Sequence, residues 1–145
     1  MATNSTYPLR ILRFSSLLFI IFFTTSCARK ISFGTSTVVP AAEGRVKVSK
    51  DDNGNNDIQV DIRNLAEAKK LTPSKSYYVV WMETDEGSVK NLGRLNSESG
   101  LFSKSLKASL NTVSPFKPRR IYVTAEDDPT IQYPGSQVVI STERF

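Results

Sequence analysis

The sequence predicts an all-β fold, an immunoglobulin-like antiparallel β-sandwich of about seven strands. Three observations lead there. From Arg45 onward apolar residues recur at every second position in short runs, turn-forming residues separate those runs at roughly 8 to 12 residue intervals, and no stretch sustains the period of a long helix.

The first two strands form a hairpin. Val46 and Val48 alternate with polar neighbours, Asp51-Asp52-Asn53-Gly54-Asn55-Asn56 supplies a polar turn, and Ile58, Val60 and Ile62 alternate with Gln59, Asp61 and Arg63. Leu65 to Lys75 allows one helical turn at most before Pro73, so it is a crossing loop. Tyr77 to Met82 (YYVVWM) is apolar on both alternating faces, as in a central strand covered on each side. Four further runs follow: Ser88 to Leu95, Leu101 to Leu110, Arg120 to Ala125 and Gln137 to Thr142. Within the second of these, Ser103 to Leu110 also fits a short amphipathic helix. The turns between the runs lie at Asp85-Glu86-Gly87, Glu98-Ser99-Gly100, Ser114-Pro115 with Lys117-Pro118, and Pro134-Gly135.

The N-terminal region has a different character. Arg10 and Arg13 precede an apolar segment, Phe14 to Phe23, and the small residues Thr24-Thr25-Ser26 lead to Cys27, the layout of a bacterial secretion signal. The uninterrupted stretch 14–28 is shorter than the roughly 20 apolar residues of a spanning helix. Removal of residues 1–26 with lipid attachment at Cys27 is therefore the leading expectation; an uncleaved signal anchor and ordinary cleavage are the alternatives. Thr25-Ser26-Cys27 resembles a lipobox, the signature of bacterial lipoproteins, with Thr24 standing where that family has Leu. The resemblance implies cleavage between Ser26 and Cys27 and acylation of Cys27. Ala28 in place of Asp then favours the outer membrane over the inner.

Residues 27–44 mix small, polar, Gly and Pro residues without sustained periodicity, and are expected to be a lipid-anchored linker. Extended, such a segment reaches about 55 to 60 Å and would hold a domain of residues 45–145 clear of the bilayer. Thr37-Val38-Val39 could add an edge strand within it. Arg29 and Lys30 suit anionic headgroups beside the anchor.

Composition narrows the function. Of 19 basic side chains two lie in the signal segment, so the rest barely outnumber the 14 acidic ones, and no nucleic-acid partner is expected. With no histidine and a single cysteine, the common nucleophilic and metal-ligating constellations are missing. Neither a cofactor nor a metal is expected, and no catalytic residue is assigned. Asp51, Asp52, Asn53, Asn55 and Asp57 offer oxygen ligands, but Gly54 and Ile62 break the calcium-loop pattern. Glu126-Asp127-Asp128 is a run of carboxylates at a strand end, and a carboxylate-based hydrolase is the alternative function it suggests. Trp81 with Tyr77 and Tyr78 fits a core better than a sugar or peptide platform. Lys117, Arg119 and Arg120 read as a solvated turn, and the Asn4-Ser5-Thr6 sequon falls in the segment to be removed.

The order Tyr78-Val79-Val80-Trp81, Gly87, Leu92-Gly93, Ile121 to Glu126, Pro134-Gly135 and Val138-Val139-Ile140 resembles the C-terminal extracytoplasmic domain of the anti-sigma-K factor family, over Arg45 to Ser141. The His and Cys-x-x-Cys set of that family's sigma-binding domain is missing from this sequence, and Glu126-Asp127-Asp128-Pro129 departs from its strand ending. The resemblance implies an extracytoplasmic β-sandwich tethered at its N-terminus, with a lipid replacing the family's membrane helix. The expected function is a non-catalytic binding or sensing module of the cell envelope, with an envelope protein as partner, reached through loops or an exposed sheet edge.

Overall fold

The alternating runs settle into strands because each buries one row of side chains while its backbone pairs with a neighbour. In the computed structural model, which describes residues 28–99 and 106–145, there are nine strands: β1 (Arg29–Ser32), β2 (Glu43–Lys50), β3 (Asn56–Leu65), β4 (Tyr77–Thr84), β5 (Val89–Arg94), β6 (Asn96–Ser99), β7 (Leu106–Ser114), β8 (Pro118–Glu126) and β9 (Val138–Ser141). All pairings are antiparallel. Sheet I has the order β1-β2-β3-β7-β6 and sheet II the order β5-β4-β8-β9. The order β2-β3-β7-β6 matches A-B-E-D of the immunoglobulin fold, and β4-β8-β9 matches C-F-G with β5 added beside C. The fold is an immunoglobulin-like β-sandwich.

The two sheets close on one apolar core. Sheet I contributes Val46, Ile58, Val60, Ile62 and Leu65, and sheet II contributes Tyr78, Val80, Met82, Ile121 and Val123. The parity of β3 changes near its end: Ile62 pairs with Ala108, yet Leu65 pairs with Leu106, so β3 holds one extra residue. Asn64 absorbs the bulge at φ 57°, a left-handed conformation asparagine tolerates, and Leu65 turns back into the core. Between β3 and β4 the only helical piece is a 3-10 turn at Ala68–Lys70, in keeping with the crossing loop expected there. The alternative helix at 103–110 is corrected over its described part, since Leu106 onward is strand.

Two strands were missing from the expected seven. One is β6, where a turn was expected. The other is β1, and it revises the domain boundary: residues 29–44 of the segment expected to be a linker belong to the sandwich. β1 pairs with β2 over Arg29↔Val48 to Ser32↔Arg45, after which the Gly34 N–H donates to the Ser141 carbonyl of β9 in the other sheet. Thr37 to Val39 is no strand, but Val39 and Ala42 are buried, and the buried Ser36 hydroxyl donates to the Val139 carbonyl while accepting the Val39 N–H at 2.8 Å. Residues 29–42 seal one seam of the sandwich. The physical reason is that β1 is made by its partner, with Ile31 as its one inward apolar residue opposite Val46.

Tyr78 joins the crossing loop to the core through a hydrogen bond from its hydroxyl to the Ala66 carbonyl at 2.9 Å. Burial pushes this phenol up to about 12, above the 10.0 of an exposed tyrosine. The unfolded chain therefore releases this proton first, so stability falls as pH rises from 10 to 12. Chemical denaturation at pH 9 and pH 11 should show that fall, and Tyr78→Phe should remove the larger part of it. Burial raises Tyr122 as well, with Arg120 acting against it, and the bond to Asp127 raises Lys75, so these two groups share the remainder.

Candidate functional site

Among the described residues, the outer face of sheet II carries the most extensive network of side-chain hydrogen bonds around a loop. Along β4, side chains alternate: Tyr78, Val80 and Met82 enter the inter-sheet core, whereas Val79 and Trp81 point to the opposite face. There they meet Tyr122 of β8, and Ile131 of the long β8–β9 loop covers them. Trp81 is fully buried, but in this second, outer cluster and not between the sheets. The doubly apolar run of β4 is thus explained, with a loop as its second cover.

The loop, residues 127–137, is pinned at both ends and in its middle. The Trp81 indole N–H donates to the Thr124 hydroxyl at 2.8 Å, and that hydroxyl donates to Glu126 Oε1. The same oxygen accepts the Gly135 N–H at 2.7 Å, so a chain of three hydrogen bonds runs from the sheet to the far side of the loop. The Asn91 amide on β5 donates to two loop carbonyls, Pro129 at 3.0 Å and Ile131 at 2.9 Å. Asp127 forms an ion pair with Lys75 at 2.7 Å. Asp128 accepts both the N–H and the hydroxyl of Thr130, and these bonds hold its carboxyl below the usual value. At the crest Tyr133 is 83% exposed, beside a shallow cleft of about 590 Å³ bordered by Lys90, Asn91, Leu92, Pro129 and Tyr133.

Gly135 has no room for a side chain, because a Cβ there would lie 2.7 Å from Glu126 Oε2 and 3.0 Å from Oε1. Gly135→Ala should therefore break the Gly135–Glu126 bond and cost about 1 to 3 kcal/mol. Urea denaturation reads that loss, and limited proteolysis should cut the variant first within 127–137.

The alternative reading, a carboxylate cluster at Glu126-Asp127-Asp128, does not assemble. Glu126 is buried and bonded inward, Asp127 reaches Lys75, and Asp128 caps its own turn. Among the described residues Glu126 is the one buried carboxylate, and no group of three possible metal ligands gathers. Asp51 likewise turns onto its own loop, accepting the N–H groups of Asn53 and Asn55 at 2.9 and 2.7 Å. Of the basic trio, Arg120 bonds Ser141 and stacks over the Tyr122 ring, away from a shared site with Lys117 and Arg119. Ser26 and Cys27 lie outside the described residues. Tyr133 and Asn91 escaped the sequence reading, and their only linear signal was an aromatic residue placed directly before Pro134-Gly135. Among the described residues no helix is long and apolar enough to cross a membrane. The chain matches no known family model, and neither curated proteins nor solved structures show significant similarity to it.

Proposed function

We propose that this chain is a cell-envelope lipoprotein, anchored through Cys27, whose β-sandwich binds a protein partner through the 127–137 loop. The observation that supports the binding mode is Tyr133: a large aromatic side chain held out in solvent on a loop otherwise fastened along its length. Pinned loops with exposed tyrosines make good contact surfaces, since little conformational freedom is left to lose on binding. The edges of sheet II are poorer candidates here. β5 is short, bulged at Leu92-Gly93 and carries Lys90, and β9 is partly covered by the bonds from Gly34 and Ser36.

The lipid anchor is supported by the sequence around Cys27 and by the resemblance to the lipobox. An outer-membrane address and kinship with the anti-sigma-K outer domain extend this reading, and no sigma-factor role is included in it. A photo-crosslinking residue in place of Tyr133, in intact envelopes, should give a discrete adduct that the same residue at the exposed Arg63 does not. Equal labelling at both positions, or none at Tyr133, would count against the loop. Intact mass of the extracted protein beside Cys27→Ser separates the anchor from the loop: acyl mass on a chain starting at Cys27 is expected, and a full-length unmodified chain would mean a signal anchor.

A further inference from the structure

We infer that the end of the sandwich bearing the β2–β3, β4–β5 and β7–β8 turns rests against the lipid bilayer, an inference that rests on the membrane anchoring proposed above. β1 begins at Arg29, so Ala28 alone separates it from Cys27. That leaves about 7 Å of chain between the anchored residue and the first paired residue. Arg29 pairs with Val48, two positions from the end of β2 that leads into the 51–55 turn. The chain therefore enters the domain at this end. The antiparallel order puts the 85–88 and 115–117 turns at the same end, and the 33–42 and 66–76 loops at the other.

β1 has little freedom to peel away. It is hydrogen-bonded along β2, and the Arg29 guanidinium lies 5.1 Å from the centre of the Phe145 ring, whose own N–H donates to the Arg119 carbonyl at 2.8 Å. The bilayer-facing end also suits a lipid–water boundary. Phe116 is 38% exposed on the 115–117 turn, with the Lys90 ammonium 4.7 Å above its ring. Charge does not set this orientation, since the four carboxylates of the 51–52 and 85–86 turns offset all but one of the five charges of Arg29, Lys30, Lys50, Lys90 and Lys117. The short covalent connection does.

With Cys27 acylated, a second cysteine is a unique labelling site. The protein extracted from envelopes, carrying a fluorophore at Asn53→Cys or Lys69→Cys, both exposed and at opposite ends, is reconstituted in vesicles whose headgroups bear a nitroxide quencher. β3 alone spans about 33 Å, well beyond contact quenching. Asn53→Cys should be quenched severalfold more than Lys69→Cys, equally in zwitterionic and anionic vesicles and at low and high salt. An acylated chain with both labels quenched alike, or with Lys69→Cys quenched more, overturns the orientation and leaves the anchor standing. A dependence of the pattern on salt or lipid charge overturns the covalent account of it. A chain that is unacylated and unbound overturns the anchor, and this inference with it.

Discussion

Trp81→Ala lowers the stability of the domain by about 3 to 5 kcal/mol, the range of a buried tryptophan deletion, although Trp81 lies outside the core between the sheets. Its ring is fully buried and packs with Val79, Tyr122 and Ile131, so truncation leaves a cavity that the rigid sheet cannot close. The Thr124 hydroxyl also loses the indole N–H it accepts, and the bonds that continue to Glu126 and Gly135 lose their anchor. Trp81→Phe separates the two effects. Most of the apolar volume returns, the hydrogen bond does not, and roughly 1 kcal/mol of the loss should remain from that bond. Urea midpoints measure both variants, with an unchanged m-value showing that the same surface unfolds. A loss under about 1 kcal/mol for Trp81→Ala would mean that the loop contributes little as a cover.

Excising residues 29–42, so that Ala28 joins Glu43, destabilises the sandwich by about 3 kcal/mol or more. Were these residues a linker, the deletion would leave the urea midpoint where it is. Val39 alone accounts for about 1.5 to 3 kcal/mol of burial, and the two Ser36 hydrogen bonds for about 1 kcal/mol each. Gly44→Val tests the same seam without a deletion. A Cβ at Gly44 meets the Phe33 ring at 2.8 Å, the Asp61 carbonyl at 2.9 Å and Ile62 Cγ1 at 3.0 Å, and a backbone oxygen cannot step aside. That variant should lose about 1 to 3 kcal/mol, and protease should reach residues 33–42 before any other segment.

The contrast between β3 and β1 shows what a linear reading can see. Ile58, Val60 and Ile62 alternate because β3 is inner on one face and solvated on the other, so periodicity alone reveals it. Arg29-Lys30-Ile31-Ser32 has a single inward apolar residue, flanked by the Gly and Pro residues of a linker, and becomes a strand only through β2. The break of parity between Ile62 and Leu65 was written in the sequence, but its meaning needed the register with β7. At the candidate site Tyr133 was not legible, since a lone aromatic residue in a polar loop has no period. Glu126-Asp127-Asp128 suggested a cluster by adjacency, yet neighbouring residues at a strand end send their side chains in different directions.

The loop that covers Trp81 also turns the molecule into its own optical gauge. Trp81 is the only tryptophan in the chain, and Ile131 separates its indole from solvent. A displacement of residues 127–137 admits water to the ring and shifts its emission to longer wavelength, and with excitation beyond the tyrosine band Tyr78 of the inter-sheet core stays dark. Loosening of the loop around Tyr133, two residues from Ile131, is thereby readable from the unlabelled protein by its intrinsic fluorescence.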